Sequence, residues 1–334
     1  MRSSFRLPFT RLLSFLCFAI VPLSSICCTR ASTAQSTPVD LRARVDIPFR
    51  FVAYGDARFH DPHDTHPADP AIRVALVQAV ANADPAFICF TGDLVYNGYD
   101  SNDWKVWDTE TSTWRDKKIP VYPALGNHDL HGGDAKALPN YFQRFPDLKD
   151  SRYYSVRAAN ILLLVLDSSQ DEVSGAQGQW LTTKLDNIPP EVDFVFLMLH
   201  HPLYTSAHDL ALMGAGHAAR GSEQHLAKLL EERQARTRAR FIVFSGHVHN
   251  YERHEHGGVV YFVSGGGGAA PFMIDRQPTD LFQSKEVNYH YLLVEVDHKQ
   301  AKITMNRVEL INGKANWTQP DSRTIPVVAA MPTH

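Results

Sequence analysis

The stretch Ser245-Gly246-His247-Val248-His249-Asn250-Tyr251-Glu252-Arg253 follows an apolar run at residues 241–244. This pattern predicts a buried strand that ends in a glycine turn, where two histidines leave the strand end together. Neutral imidazole is the commonest metal ligand among side chains, so the pair indicates a metal site or a position between two adjacent metals. A pair of surface histidines in a loop is the alternative. The other strand ends of the chain decide between the two.

Similar groups follow other predicted strands. Apolar runs predict strands near residues 49–54, 86–90, 119–125 and 194–199. These strands end at Gly55-Asp56, Gly92-Asp93, Gly126-Asn127-His128 and His200. In open α/β sheets, binding sites lie beyond the carboxyl ends of the strands, and glycine allows the sharp turn that aims the next side chain over the sheet. Five such strand ends in one chain predict a shared site rather than five unrelated turns.

The residue types at these strand ends favour particular metals. The candidate ligands are two aspartates, one asparagine and three histidines, with Tyr96 three residues after Asp93. Oxygen and nitrogen ligands without a thiolate suit zinc, iron or manganese rather than copper(I) or an iron–sulfur cluster. The set exceeds what one tetrahedral metal needs, and a carboxylate can bridge two cations. The sequence therefore predicts two metal ions about 3.5–4 Å apart.

The composition is that of an ordinary globular protein. The chain has 334 residues, with 33 Lys and Arg, 36 Asp and Glu, and 44% apolar residues. A formal charge of −3 provides no basic surface for a phosphate backbone, which argues against nucleic acid as a structural partner. Strands alternate with helical patterns before a strand-rich C-terminal part. This order predicts a single α/β domain over residues 45–320, followed by a loose tail at 321–334.

The N-terminus predicts an exported protein. Arg2, Arg6 and Arg11 accompany an apolar run at residues 12–28, and Ser32-Thr33-Ala34 offers a cleavage site. This pattern predicts a secretory signal peptide over residues 1–34, a polar linker at 35–44, and a periplasmic or secreted location. An uncleaved membrane anchor and a lipid-modified cysteine are the alternatives. After cleavage only Cys89 remains, so we expect no internal disulfide and no stable membrane span.

The motifs together look like the motif series of the calcineurin-like metallophosphoesterases. Within that family, three stretches resemble purple acid phosphatases: Gly92-Asp93-Leu94-Val95-Tyr96, His200-His201-Pro202-Leu203-Tyr204-Thr205-Ser206 and Gly246-His247-Val248-His249-Asn250-Tyr251-Glu252-Arg253. The resemblance covers roughly residues 49–268. It implies a four-layer sandwich of two mixed β-sheets flanked by α-helices, and hydrolysis of a small phosphoester substrate.

The resemblance also implies a role for each candidate ligand. The first metal, which is ferric iron in the purple enzymes, would be held by Asp56, Asp93, Tyr96 and His249. Asp93 would bridge to the second metal, a divalent iron, zinc or manganese. That second site would be completed by Asn127, His200 and His247.

One position departs from the wider family. Many members carry a ligand histidine two residues after the first aspartate, whereas this chain carries Arg58. Purple acid phosphatases also lack that histidine and use a tyrosine three residues after the second aspartate, which is the position of Tyr96. A phenol with a pKa of about 10 needs a strongly acidic metal to ionise it, which favours a trivalent ion. If Tyr96 only packs near the site, the first metal is divalent.

The implied reaction is in-line attack on phosphorus by a metal-bound hydroxide. His128, next to Asn127, is a candidate to protonate the leaving group, with a supporting hydrogen bond as its alternative role. His208 resembles in placement the loop histidine that donates this proton in purple acid phosphatases. Arg58 could grip a phosphate oxygen with its planar fork of donors, or form a salt bridge to a loop carboxylate.

Three functions are compatible with these residues. We expect an exported phosphomonoesterase of the acid phosphatase type. A phosphodiesterase acting on nucleotides or lipid head groups is the second reading, and the loops at residues 57–68 and 204–221 would separate the two. The third reading is a secreted metal-binding module without catalysis, and the intact series of seven ligands argues against it.

Overall fold

A computed structural model describes residues 37–207, 217–284 and 286–328. The predicted signal peptide at 1–34 and the candidate proton donor His208 lie outside these ranges. Within the described ranges, no helix is both long and apolar enough to cross a membrane.

The described residues form fourteen strands and six α-helices. The strands are β1 Asp40–Ala43, β2 Phe49–Tyr54, β3 Ile88–Phe90, β4 Val121–Pro123, β5 Tyr154–Ala158, β6 Ile161–Val165, β7 Phe194–Met198, β8 Arg240–Ser245, β9 Tyr251–His256, β10 Val259–Ser264, β11 Tyr289–Val296, β12 Gln300–Ile311, β13 Lys314–Thr318 and β14 Ser322–Pro326. The helices are α1 Pro70–Asn82, α2 Ser101–Glu110, α3 Ser112–Asp116, α4 Asp134–Arg144, α5 Gly175–Asp186 and α6 Gly221–Gln234.

The strands form two mixed sheets of seven strands each. The first sheet has the order β1-β5-β6-β7-β8-β10-β9, and β6, β7, β8 and β10 run parallel within it. The second has the order β13-β12-β11-β2-β3-β4, with β14 paired to β12, and β2, β3 and β4 run parallel. Strands buried on both faces have continuous apolar sequences, and β6 (Ile-Leu-Leu-Leu-Val) is buried throughout.

Aromatic side chains fill the space between the two sheets. The ring of Phe51 in β2 meets that of Phe196 in β7 edge to face, with centroids 5.1 Å apart. Phe196 in turn stacks on Phe244 of β8, with centroids 5.6 Å apart. Burial of such rings is the main stabilising contribution of a core, because each removes a large apolar surface from water. This layer therefore fixes the two sheets face to face.

Helices cover the outer faces of the sheets. On the first sheet, leucines of α5 and α6 share an apolar cluster with outward-facing residues of β6, β7 and β8. On the second sheet, α1 packs against β11 and β12 through its buried face, which includes Leu76 and Val80. Asp69 caps α1 by accepting hydrogen bonds from the backbone N–H groups of Ala71 and Ile72. These four layers confirm the predicted sandwich of two mixed sheets flanked by helices.

Two segments outside the predicted domain contain short strands. The segment 35–44, predicted as a linker, contains β1, which pairs parallel to β5 at the edge of the first sheet. The tail after residue 320, predicted to be loosely held, contains β14, which pairs with β12 and buries Ile325. Both strands are short and polar, and their pairing partners lie elsewhere in the chain. Local sequence therefore carries little signal for either.

Candidate metal centre

The carboxyl ends of strands from both sheets meet at one edge of the sandwich. The N–H of Gly55, after β2, donates to the carbonyl of Ser264 in β10, which joins the second sheet to the first. The N–H of Asp56 donates to the carbonyl of Gly92, after β3, and the N–H of Gly246 donates to the carbonyl of His200. These backbone bonds bring the predicted ligands together although they come from distant parts of the chain.

Three candidate ligands have an unusual backbone conformation. Asp56, Asp93 and His247 have φ angles of 60°, 53° and 68°, in the left-handed region that residues with a Cβ seldom adopt. Such conformations cost about 1–3 kcal/mol each, and they persist where the surrounding structure enforces them, often at functional sites. Here they turn each side chain back over the strand ends.

Asp56, Asp93 and His249 form the first group of ligand atoms. One atom from each residue lies within 4.8 Å of the other two, and all three side chains are buried. The Nδ1–H of His249 donates to the carbonyl of Ala270 at 2.6 Å, because a carbonyl oxygen can only accept. Its Nε2 therefore points a lone pair toward Asp56, 3.6 Å from Oδ1, and has no hydrogen-bond partner among the described residues. A buried lone pair facing carboxylate oxygens fits a cation between them.

Asn127, His200 and His247 form the second group. The Nδ1–H of His200 donates to the carbonyl of Thr91 at 2.9 Å, which leaves its Nε2 as an acceptor. That Nε2 lies 2.9 Å from Asn127 Oδ1 and 3.3 Å from His247 Nδ1. Burial lowers the pKa of His200 to about 4, so the ring is neutral near pH 7. A neutral imidazole lone pair facing an amide oxygen also fits a cation.

Asp93 belongs to the first group and touches the second. Its Oδ1 lies 3.4 Å from His200 Nε2 and accepts the backbone N–H of His128 at 2.9 Å. Burial raises the pKa of Asp93, but His200, Arg58 and His128 outweigh it and hold that pKa well below its usual range. The two histidines carry a charge only in acid, because burial lowers the pKa of His128 and of His200 to about 4. Near pH 7, Arg58 is the charged group of these three. By contrast, burial and then the Asp93 charge raise the pKa of Asp56.

Arg58 contacts a candidate ligand directly. Its Nε and Nη2 both donate to Asp93 Oδ2, at 3.2 and 3.1 Å. The structure therefore contains the salt bridge anticipated from the sequence, but the partner is Asp93 rather than a loop carboxylate.

Tyr96 and His128 lie beside each other next to Asp93. Their rings stack with centroids 5.2 Å apart, and the Tyr96 ring also packs 5.8 Å from that of His60. The Nδ1–H of His128 donates to the carbonyl of Tyr96 at 2.8 Å, and His128 Nε2 lies 4.0 Å from Asp93 Oδ2. The packing of Tyr96 against aromatic rings is thus present, and its service as a metal ligand stays a prediction.

Two supporting residues received no role from the sequence. Asp129 is buried and accepts the backbone N–H groups of Leu94, Val95 and Gly126, which ties the ends of β3 and β4 together. Ser168 Oγ accepts the backbone N–H groups of His200 and His201. An aspartate immediately after a candidate ligand cluster was the one available signal for Asp129. Ser168 follows a buried strand without any such pattern.

The sandwich of two mixed sheets, with candidate ligands at its strand ends, has the metallophosphoesterase fold. Among solved structures, the chain is similar to the purple acid phosphatase PPD1 from yellow lupin seeds, with a TM-score of 0.66 and 16% identity over 87% of this chain and 57% of that one. It is also similar to PhoD, with a TM-score of 0.62 and 13% identity over 85% of this chain and 71% of that one. At these identities, the likeness concerns the fold alone.

The chain belongs to the calcineurin-like phosphoesterase family, whose model matches residues 61–251, more than half of its length. It is 26% identical to purple acid phosphatase 1 of Ipomoea batatas over 231 residues, which are 63% of this chain and 44% of that protein. It is also 26% identical to the phosphoenolpyruvate phosphatase of Allium cepa over 196 residues, 54% of this chain and 38% of that protein. The chain thus spans less than half the length of these curated relatives. The resemblance seen in the motifs is confirmed.

Proposed function

We propose that this protein is a metal-dependent phosphoester hydrolase with two metal ions, and that its preferred substrates are phosphomonoesters. The observation that carries the proposal is the pair of adjacent ligand groups that share Asp93, with the lone pairs of His200 and His249 aimed into them. Family membership supports hydrolysis of a phosphoester, and the two curated relatives are both phosphatases.

Each candidate ligand would belong to one of the two metals. Asp56, Asp93 and His249, with Tyr96, would hold ferric iron. Asn127, His200 and His247, with Asp93 as the bridge, would hold divalent iron, zinc or manganese. With His249 as the one nitrogen ligand among oxygens, the first set favours a hard ion. When bound, such a pair supplies Lewis acidity that activates a water and neutralises charge on the phosphate.

Other residues would act on the substrate. Guanidinium donors of Arg58 that do not bind Asp93 are available to a phosphate oxygen, since an arginine carries five N–H groups. His128 presents Nε2 near Asp93 and is the candidate within the described residues to supply the proton for the leaving group. Its Nδ1–H donates to Tyr96 and its pKa is about 4, so Nε2 carries that proton only in acid solution. His208 remains a second candidate on the ground of its position in the sequence. We also propose that the chain is exported, on the pattern of residues 1–34.

Purified mature protein, assayed on a chromogenic phosphate monoester and the matching diester, tests the proposed activity. We expect two metal ions per chain by elemental analysis, a purple colour, and faster hydrolysis of the monoester. Preference for the diester would favour the phosphodiesterase reading. A colourless protein with one divalent metal and no hydrolysis of either ester would leave a metal-binding module as the function. N-terminal sequencing of the exported protein locates the cleavage site.

A further inference from the structure

Arg58 places a permanent positive charge within the first ligand group. Its guanidinium donates twice to a single oxygen, Asp93 Oδ2. Asp93 is fully buried and the Arg58 side chain is 14% exposed, so water screens this contact only weakly. The contact occupies an oxygen that a metal between Asp56, Asp93 and His249 would otherwise use.

The guanidinium lies close to the whole first ligand group. Arg58 Nη2 is 3.1 Å from Asp93 Oδ2. One ligand atom from each of Asp56, Asp93 and His249 lies within 4.8 Å of the other two. A cation placed among these three side chains would therefore lie close to a charge of its own sign.

The backbone of Arg58 is fixed by hydrogen bonds, which limits how far its charged side chain can move away from Asp93. Residue 58 has a φ of 48°, its N–H donates to the carbonyl of Asp93, and its carbonyl accepts from His60 Nδ1 at 2.5 Å. Arg73 Nη1 also donates to that carbonyl, at 3.4 Å. Arg73 is itself fully buried and held by Glu110 through two hydrogen bonds of 2.7 Å. These contacts thus hold the backbone of Arg58 next to the candidate metal centre.

We propose that Arg58 is a built-in cation of the first metal position, which weakens metal binding between Asp56, Asp93 and His249 and makes this the lower-affinity position of the two. The inference rests on the proposed two-metal centre. Like charges repel, and a carboxylate oxygen shared with a guanidinium donates less electron density to a metal. Occupancy of the first position would then depend on metal supply.

Calorimetric titration of the metal-free protein with Zn²⁺ tests this proposal without an activity measurement. For Arg58→Gln we expect the weaker of two dissociation constants to fall at least about tenfold, because the charge is removed and Asp93 Oδ2 is released. Arg58→Lys keeps the charge and should stay within about threefold of the wild type. Arg50→Gln, at an exposed position of β2, is the matched control and should bind as the wild type does.

Unchanged or weaker Zn²⁺ binding by a folded Arg58→Gln variant would overturn the inference. If that variant does not fold, as judged by circular dichroism, Arg58→Gly carries the same test, because it removes the charge, adds no ligand and suits the φ of 48° at this position. Hydrolysis is measured separately on the wild type. If the wild type hydrolyses the ester and the variant binds Zn²⁺ as the wild type does, the role of Arg58 is rejected and the proposed function is kept. If the variant binds Zn²⁺ more tightly and the wild type hydrolyses nothing, the role of Arg58 is kept and the proposed function is rejected.

Discussion

Gly246 lies directly against the carboxylate of Asp56. A Cβ at position 246 would be 2.3 Å from Asp56 Oδ2 and 2.9 Å from Thr91 Oγ1, closer than atoms in contact can approach. The Asp56 carboxylate has little freedom to retreat, because both of its oxygens accept the backbone N–H of His247 at 3.1 Å. The missing side chain of Gly246 thus leaves the space in which the Asp56 carboxylate lies.

Gly246→Ala should therefore impair metal binding without unfolding the protein. The added methyl group displaces Asp56, and metal sites hold their ligand distances to within about 0.2 Å, so a displaced carboxylate binds the metal less well. We expect at least a tenfold loss in affinity for the metal that Asp56 holds, measured by titration calorimetry. Gly221→Ala is the control, since a Cβ there meets no atom within 4 Å. Equal metal binding by both variants would show that the contact with Asp56 is unimportant.

Asn127→Ala should remove the second metal. It deletes the amide oxygen that lies 2.9 Å from His200 Nε2 and 3.1 Å from His247 Nδ1. We expect elemental analysis to give one metal per chain and hydrolysis of a monoester to fall by about a hundredfold or more. Asn316→Ala, at an exposed position of β13, should leave both quantities unchanged. Full activity in Asn127→Ala would reject the assignment of this residue as a ligand.

Asp129→Ala should lower the free energy of unfolding of the whole protein, and any effect on hydrolysis should come with this loss. The substitution leaves three backbone N–H groups without their acceptor, those of Leu94, Val95 and Gly126. Each unsatisfied buried group costs about 1–3 kcal/mol, and entry of water recovers part of this, so we expect a loss of about 2–4 kcal/mol. Urea unfolding followed by tryptophan fluorescence measures the difference. Asp116→Ala, at an exposed position, is the control, and an equal loss there would contradict the explanation.

Glu172 should make stability depend on pH. Its carboxyl is fully buried, and burial followed by repulsion from Glu223 raises its pKa to about 8. The unfolded chain releases this proton at about pH 4.3, so the folded state binds more protons between that pH and about 8. Stability contributed by the protonated form is therefore lost as the pH rises through this window.

Glu172→Gln remains neutral and should remove that loss. We compare the stability of the variant with that of the wild type at each pH. The free energy of unfolding of Glu172→Gln minus that of the wild type should be about 1–3 kcal/mol larger at pH 8 than at pH 5. Urea unfolding at the two pH values gives the quantity directly. Glu191→Gln, at an exposed position, should track the wild type. A Glu172→Gln profile parallel to that of the wild type would show that the Glu172 carboxyl is already ionised at pH 5.

Much of the site could be predicted because its side chains follow strands immediately in the sequence. A run of apolar residues, a glycine and then an aspartate or histidine is a local pattern, and parallel strands bring such ends to one edge. The central strands were found for the same reason, as in the continuous apolar run of β6. The edge strands β1 and β14 and the helices α2 to α4 lack such a signal, because short or half-exposed elements depend on distant partners.

The sequence alone was enough to predict the sandwich, the candidate ligands and the likeness to purple acid phosphatases, since each depends on residues adjacent in the chain. Three features became visible only once the chain was folded. Arg58 binds Asp93, and Asp129 ties two strand ends together. The carbonyl groups of Thr91 and Ala270 aim the imidazoles of His200 and His249. These contacts join segments far apart in sequence. Hydrogen bonds are directional and short, so their partners depend on the packing of both sheets rather than on any local pattern.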